Sequence, residues 1–222
     1  MELGYLRVAA AVPRVNVADV NFNVESVKSL AQEIAGKGAS VIVFPELCVT
    51  AYTCADLFHN DTLLASALEG LAKLTQLTSS LKAMIVVGMP LKVHGQLYNC
   101  AVAIADGKIL GVVPKTYLPD YNEFYEKRWF VGAPDDMFFI EINGQKAIPF
   151  GTSQLFEVEG VKCAIELCED LWTAIPPSSK AALAGAQVIL NMSASDDIIG
   201  KYDYLLSLIS QQSARCMAAY VY

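Results

Sequence analysis

The sequence predicts an α/β fold in which helices cover a mixed β-sheet. Short apolar runs of strand length alternate with longer segments that place apolar residues at helical spacing. A strong hairpin signal, Asp106-Gly107, separates two of the apolar runs, so at least one antiparallel pair is expected among strands otherwise joined by helices. With 222 residues, 54% of them hydrophobic, the chain can bury one large core.

The elements of the first half follow from two patterns. Continuous apolar runs are typical of strands covered on both faces, and apolar residues three or four positions apart are typical of amphipathic helices. Gly36 and Gly38 end the first helix, because glycine readily adopts the backbone conformation that follows a helix. These patterns predict strands over 5–12, 41–44, 84–89, 97–105 and 109–113, and helices over 23–36 and 63–81.

The second half resumes the alternation after an irregular segment. Residues 120–143 lack clear periodicity and are rich in aromatic and charged side chains, and their aromatic content favours a functional loop over a disordered one. The strand pattern still continues at Tyr222, so we expect the natural polypeptide to extend further. Beyond the irregular segment the patterns predict strands over 161–167, 188–191 and 218–222, and helices over 178–184 and 201–217.

The composition argues against several kinds of partner and site. The net charge is −7 and the basic residues are scattered, which disfavours nucleic-acid binding. The six cysteines form no Cys-x-x-Cys pair and only two histidines occur, so we expect no zinc site, no disulfide framework and a reducing cytoplasm. No run approaches the roughly 20 apolar residues that span a bilayer, and residues Met1 to Gly4 do not resemble a signal peptide.

Cys168 ends the predicted strand 161–167 and is followed at once by Glu169 and Asp170. Strand alternation places Cys168 beside Glu166, on the face opposite the apolar one. The thiol would therefore project from the end of a strand, where α/β sheets tend to bind ligands. This placement makes Cys168 a candidate nucleophile, although a cysteine that only fills space in a core fits the same pattern.

A nucleophilic thiol needs a base or a nearby cation, because a cysteine of ordinary pKa, about 8.5, is only slightly ionised at neutral pH. His59 and His94 lie in polar, loop-like surroundings, which gives little support to a Cys-His enzyme. Glu46 directly follows a buried run, where partial desolvation would make it a better base. Lys115 ends another strand, where its ammonium could stabilise an oxyanion. Taken singly, Glu46 could be a solvated loop residue and Lys115 a surface residue. The three groups of complementary chemistry at strand ends are stronger evidence together than each is alone.

Three motifs resemble the signatures of the nitrilase (carbon–nitrogen hydrolase) superfamily, in the same order. In detail, the motifs resemble those of the glutaminase domain of glutamine-dependent NAD synthetases. In general nitrilases the cysteine is usually followed by Tyr or Trp and then Asp, whereas here Cys168 is followed by Glu169 and Asp170. The resemblance spans residues 5–222 and implies a nitrilase-like four-layer αββα sandwich with mixed sheets, formed by one amidohydrolase domain over 1–222. The motifs are Phe-Pro-Glu (44–46), Pro-Lys-Thr-Tyr-Leu-Pro (114–119) and Leu-Cys-Glu-Asp-Leu-Trp (167–172), extended by Asn-Met-Ser-Ala-Ser (191–195) and Gly-Lys (200–201).

The resemblance implies a Glu-Lys-Cys mechanism that hydrolyses the side-chain amide of L-glutamine. Glu46 would take the thiol proton, Cys168 would attack the amide carbon, and Lys115 would stabilise the oxyanion. Glu123 would be the second glutamate that many members of the superfamily place near these three residues.

The resemblance also implies a glutamine pocket. Glu169 is a candidate partner for the α-ammonium group of the substrate, and Lys201 is a candidate partner for its α-carboxylate. The residues that the resemblance places in the pocket are Tyr121, Phe124, Glu169, Trp172, Ser195 and Lys201.

The implied partners are L-glutamine and a synthetase domain, within a homo-oligomer. The chain lacks the Ser-Gly-Gly-x-Asp-Ser loop of the NAD-forming half, so we expect no cofactor in this domain, with ATP and Mg²⁺ bound by the missing synthetase domain. Two other functions stay open at this point. One is a stand-alone hydrolase acting on another small amide, and the other is an inactive assembly module.

Overall fold

The computed structural model describes residues 4–222 as two β-sheets and their covering helices. Met1–Leu3, which contributed to the prediction that no signal peptide is present, lie outside the described residues. The strands are β1 Val8–Ala10, β2 Val41–Val43, β3 Met84–Val93, β4 Gln96–Ala105, β5 Lys108–Pro114, β6 Phe138–Ile142, β7 Gln145–Phe150, β8 Phe156–Val158, β9 Val161–Leu167, β10 Val188–Met192 and β11 Ala219–Val221. The α-helices are α1 Val20–Gly36, α2 Asp61–Thr78, α3 Pro177–Leu183 and α4 Lys201–Cys216.

The first two helices begin at capping side chains. The Asp19 carboxylate accepts a hydrogen bond from the backbone N–H of Phe22 (3.1 Å) and so begins α1, and Asn60 begins α2 in the same way. Along α1, Val24, Val27 and Ala31 recur at helical spacing and are buried. None of the helices within residues 4–222 combines the length and the apolar character needed to cross a bilayer.

Both sheets are mixed. The larger sheet has the strand order β1-β2-β3-β4-β5-β7-β6, and the smaller one has the order β11-β10-β9-β8. In the larger sheet β1, β2 and β3 run parallel, whereas β3, β4 and β5 form an antiparallel meander that includes the predicted Asp106-Gly107 hairpin. As a result, β2 and β5 point in the same direction and end at the same edge of the sheet.

The two sheets pack face to face through an apolar interior. Val43, Val86 and Ala101 of the larger sheet meet Ile165 and Leu190 of the smaller one in a single buried cluster. Helices α1 and α2 cover the outer face of the larger sheet, and α3 and α4 cover the outer face of the smaller sheet. This is the predicted four-layer αββα sandwich.

Strands β6, β7 and β8 were not predicted from the sequence. These strands are only partly buried: in β7 only Ile148 and Phe150 of the six residues are buried, so no long apolar run marks the strand. Part of the segment 120–143 is irregular as predicted, with a short 3-10 helix at Glu126–Arg128, but its end forms β6. The remaining predicted elements match observed ones to within a few residues.

Candidate active site

Three buried side chains meet beside the ends of strands from both sheets. Glu46 follows β2, Lys115 follows β5, and Cys168 begins the 3-10 helix Cys168–Trp172 directly after β9. Their exposed fractions are 1%, 0% and 6%. Neighbouring residues of one loop contact two of them, since Ser193 binds the Cys168 sulfur and Ala194 binds the Glu46 carboxylate. The structure therefore brings the three predicted catalytic residues into one desolvated site.

Lys115 is enclosed by negative charge. Its ammonium nitrogen Nζ donates hydrogen bonds to Oε1 of Glu46 and to Oε1 of Glu126, each at 2.6 Å. Burial by itself would lower the pKa of Lys115, but the charge of Glu46, that of Cys168 when it is a thiolate, and that of Glu126 outweigh burial and raise the pKa above its ordinary value. The ammonium is thus held in its charged form, as an oxyanion stabiliser must be.

The two carboxylate oxygens of Glu46 have different surroundings. Oε1 accepts hydrogen bonds from Lys115 Nζ (2.6 Å) and from the Nδ2 amide of Asn99 (2.7 Å). Oε2 accepts one from the backbone N–H of Ala194 (3.1 Å). Since Oε1 is already held by two donors, Oε2 is the oxygen with room to receive a proton from the thiol.

Gly88 in β3 lies directly against the backbone that carries Glu46. A Cβ atom at this position would lie 2.3 Å from the backbone nitrogen of Leu47 and 2.6 Å from the carbonyl oxygen of Pro45. We expect Gly88→Ala to lower the free energy of unfolding by about 1–3 kcal/mol and to displace the base. Chemical denaturation measures the loss of stability. The rate of a reaction that uses Glu46 as its base measures the displacement.

Gly36→Ala is the matched control for this prediction. Gly36 lies at the end of α1, and a Cβ atom there meets nothing within 4 Å. Gly36→Ala should leave activity unchanged and should leave stability unchanged or slightly higher, because alanine is a better helix former than glycine. Equal behaviour of the two variants would contradict the proposed contact.

The second glutamate of the site is Glu126, and the prediction of Glu123 is wrong. Glu123 is exposed, and its carboxyl group contacts Asp196. Glu126 is 1% exposed and also accepts a hydrogen bond from the Tyr52 hydroxyl (2.7 Å). Burial raises the pKa of Glu126 and the charge of Glu46 adds to this, while Lys115 opposes it. The 3-10 helix Glu126–Arg128 directs the Glu126 side chain inward. The surrounding sequence has no regular period, so this direction could not be predicted from it.

The backbone of Cys168 overturns the predicted direction of its thiol. Alternation placed Cys168 on the face of Glu166, whose carboxylate accepts from the backbone N–H of Ser178 (2.8 Å) at α3. Instead, Cys168 has a φ of +42°, its N–H donates to Oδ1 of Asn191 (3.1 Å), and its sulfur accepts from Ser193 Oγ (3.2 Å). A positive φ breaks the two-residue period of a strand, so the thiol faces the charged cluster rather than α3.

The thiol is protonated in the resting site at neutral pH. Burial raises the pKa of Cys168 to about 12, and the charge of Glu46 acts in the same direction. Lys115 and the hydrogen bond from Ser193 lower it, but they do not outweigh burial. Nucleophilic attack by this sulfur therefore requires a base that removes its proton.

Asp170 connects the loops that carry Lys115 and Cys168. Its carboxylate is buried and accepts hydrogen bonds from the backbone N–H groups of Thr116 (3.1 Å), Tyr117 (2.9 Å) and Leu167 (3.0 Å). One side chain thus holds together segments that follow different sheets. No pattern in the sequence indicated this role.

Other residues of the site also escaped prediction. Asn99 is fully buried and touches both Glu46 and Glu126 through its Nδ2 group, at 2.7 and 3.4 Å. Its signal in the sequence is a polar residue inside an otherwise apolar strand. Ser193 carries no such signal, because serine is common in loops.

The six predicted pocket residues gather at the partly exposed mouth of the site. The Tyr121 hydroxyl donates to Oε2 of Glu169 (2.8 Å), and Lys201 Nζ donates to Ser195 Oγ (2.6 Å). The same nitrogen lies 5.9 Å from the ring centroid of Phe124 and 5.5 Å from that of Trp172. The mouth therefore offers a carboxylate, an ammonium and aromatic faces.

Cysteine and metal chemistry outside this site is limited in the described part of the chain. All six cysteines are free thiols, and five of them are buried. Within residues 4–222, no group of three or more His, Cys, Asp or Glu side chains is arranged to hold a metal ion. The expectation that this domain needs no cofactor stays a prediction.

A model of the family described as carbon-nitrogen hydrolase matches residues 7–222. The chain belongs to this family. Among solved structures, this hydrolase resembles a glutamine-dependent NAD(+) synthetase from Cytophaga hutchinsonii, with a TM-score of 0.87 and 27% identity over 97% of this chain and 35% of that one. An amidase from Nesterenkonia sp. shares the fold, with a TM-score of 0.76 and 17% identity over 97% of this chain and 75% of that one. The predicted family and fold class are confirmed.

Sequence relatives of this hydrolase carry a consistent name. It is 40% identical over 222 residues to the glutamine-dependent NAD(+) synthetase of Mycobacterium tuberculosis, covering 99% of this chain and 32% of the relative. The enzyme of the same name from Aquifex aeolicus is 28% identical over 92% of this chain and 33% of its own length. The chain spans about a third of the length of these curated relatives.

Proposed function

We propose that this carbon-nitrogen hydrolase hydrolyses the side-chain amide of L-glutamine and supplies the ammonia for NAD synthesis. The observation that carries the proposal is the buried cluster of Glu46, Lys115 and Cys168 beside a mouth that contains Glu169 and Lys201. A carboxylate and an ammonium suit the α-ammonium and α-carboxylate groups of an amino acid. The 40% identity to a glutamine-dependent NAD(+) synthetase supports the same substrate.

The first half of the reaction forms a thioester. Oε2 of Glu46 takes the proton of the Cys168 thiol while the sulfur attacks the amide carbon, and the carbonyl electron pair moves onto oxygen. The ammonium of Lys115 stabilises this oxyanion. When the intermediate collapses, the C–N bond breaks, Glu46 returns its proton to the leaving nitrogen, and ammonia departs.

The second half releases glutamate. Water attacks the thioester carbon while Glu46 takes one of its protons, and Lys115 again stabilises the oxyanion. Breaking the C–S bond returns the proton from Glu46 to the sulfur of Cys168, so the site is restored with no net change. Glu126 stays beside Lys115 throughout and balances the charge of the ammonium.

The proposed partner is a synthetase domain that uses the ammonia. This follows from the names of the relatives, of which this chain matches about a third. A homo-oligomeric state and a cytoplasmic location stay predictions from the sequence.

Loss of the nucleophile tests the proposal directly. The protein should release ammonia and glutamate from L-glutamine, and Cys168→Ala should lower this rate at least about a thousandfold, because the thioester cannot form. Cys216→Ala removes a partly exposed cysteine elsewhere and serves as the matched control. An enzyme-coupled ammonia assay measures all three proteins.

Two results would count against the proposal. Equal ammonia release by the wild type and Cys168→Ala would exclude a cysteine hydrolase. A preference for simple amides such as propionamide, which lack α-amino and α-carboxylate groups, would instead favour a stand-alone amidase.

A further inference from the structure

A continuous row of hydrogen-bonding groups leads from Lys201 at the mouth to the sulfur of Cys168. Lys201 Nζ lies 2.6 Å from Ser195 Oγ, and the Ser195 hydroxyl lies close enough to Tyr222 to lower the pKa of its hydroxyl. The Tyr222 hydroxyl lies 2.7 Å from Ser193 Oγ, which in turn lies 3.2 Å from Cys168 Sγ. The row joins the loop after β10 to the chain that follows β11.

The single proton of each hydroxyl fixes the direction of the hydrogen bonds between Tyr222 and the sulfur. An ammonium group can only donate, whereas each hydroxyl has a single proton to give. Ser195 accepts from Lys201. Ser193 donates its proton to the sulfur, so it accepts in its hydrogen bond with Tyr222, and the Tyr222 hydroxyl is the donor. Burial, and then the charge that Cys168 carries as a thiolate, raise the pKa of Tyr222 to about 12, so this hydroxyl keeps its proton at neutral pH.

The sulfur needs this donor because the nearby charges do not favour a thiolate. The charged groups that act on Cys168 are Glu46 and Glu126, which disfavour its negative charge, and Lys115, which favours it. Two carboxylates thus surround a single ammonium. The tyrosine hydroxyls of Tyr52 and Tyr121 also lie within the electrostatic reach of the sulfur and stay neutral.

We infer that Ser193 is a catalytic residue, whose hydroxyl donates to the Cys168 sulfur and stabilises the thiolate, and that Tyr222 is a positioning residue that fixes the direction of this donation. The inference rests on the proposed function only for its role in glutamine hydrolysis. The stabilisation of the thiolate is a property of the site itself and can be measured without glutamine.

The rate of alkylation of Cys168 by iodoacetamide, followed by mass spectrometry between pH 6 and 10, tests this inference. In Ser193→Ala the rate at pH 8 should fall about tenfold and the profile should shift by about one pH unit to higher pH, because a thiolate without its donor is less stable. Tyr222→Phe should cause a smaller fall of about threefold, since the Ser193 hydroxyl remains but is no longer oriented. The double variant should react no more slowly than Ser193→Ala, because both changes break one row.

Conservative and distant variants control the measurement. Ser193→Thr keeps a hydroxyl and should retain the wild-type profile. Ser213→Ala and Tyr98→Phe remove hydroxyls that bind Ala218 O and Gln96 Oε1, and should not change it either. If Ser193→Ala does not fold, the profile of Tyr222→Phe decides, because that variant must show the shift.

An unchanged profile in Ser193→Ala, or additive losses in the double variant, would overturn the inference. This outcome is distinct from failure of the proposed function. If the proposed function failed, the wild type would release no ammonia from glutamine, while the alkylation profiles would still report on the hydrogen-bonded row.

Discussion

Lys115→Met should slow amide hydrolysis strongly and lower the free energy of unfolding by about 3–5 kcal/mol. The substitution leaves Glu46 and Glu126 buried without the ammonium that lies 2.6 Å from each of them. The loss of an oxyanion stabiliser also lowers the rate by about 10²–10³-fold. Urea denaturation and ammonia release measure the two effects. Lys127→Met, at an exposed lysine, is the matched control and should show neither.

The pH dependence of this loss has a definite sign. Burial already raises the pKa of Glu126, and removing Lys115 removes a group that lowers it. A carboxyl group with a folded-state pKa above its unfolded value binds more protons when folded, so its folded form loses stability as pH rises. The deficit of Lys115→Met should therefore be larger at pH 8 than at pH 5.

A compensating variant completes the test. Adding Glu46→Gln and Glu126→Gln to Lys115→Met removes both unpaired charges and should recover much of the stability without recovering activity. A deficit that is the same at both pH values and in the triple variant would show that the ion cluster does not determine the loss.

Glu46→Gln should separate hydrolysis from thiol reactivity. Ammonia release should fall by about 10²–10⁴-fold, because the site loses its base. Alkylation of Cys168 by iodoacetamide at pH 8 should instead become faster. Burial and then the charge of Glu46 raise the pKa of Cys168, so without that charge Lys115 stabilises the thiolate more effectively. Each unit by which the thiol pKa falls increases the thiolate fraction about tenfold at a pH below it.

The opposite directions of the two changes make this prediction specific. A general disturbance of the site would lower hydrolysis and alkylation together, and that result would contradict the role of Glu46 as a base. Glu25→Gln, at an exposed position on α1, provides a control that should alter neither rate.

The residues that end strands could be predicted before any contact was known. Glu46 and Lys115 each follow a run of apolar residues, and Cys168 follows an alternating strand, so local patterns place all three at strand ends. The family motifs added roles to these positions. The pocket residues came from the motifs alone, since nothing in the local pattern of Tyr121 or Lys201 distinguishes them from surface residues.

The sequence by itself determined the alternation of helices and strands, the family and the three strand-end residues, because these depend on the order of nearby residues. Only the tertiary structure decided that Glu126 rather than Glu123 joins Lys115, that Cys168 turns toward the charged cluster, and that Ser193 reaches the sulfur. Glu46 is separated by 69 residues from Lys115 and by 148 from Ala194. Such contacts depend on how two sheets pack against each other, and a local period specifies which face a side chain occupies but not which side chain it meets.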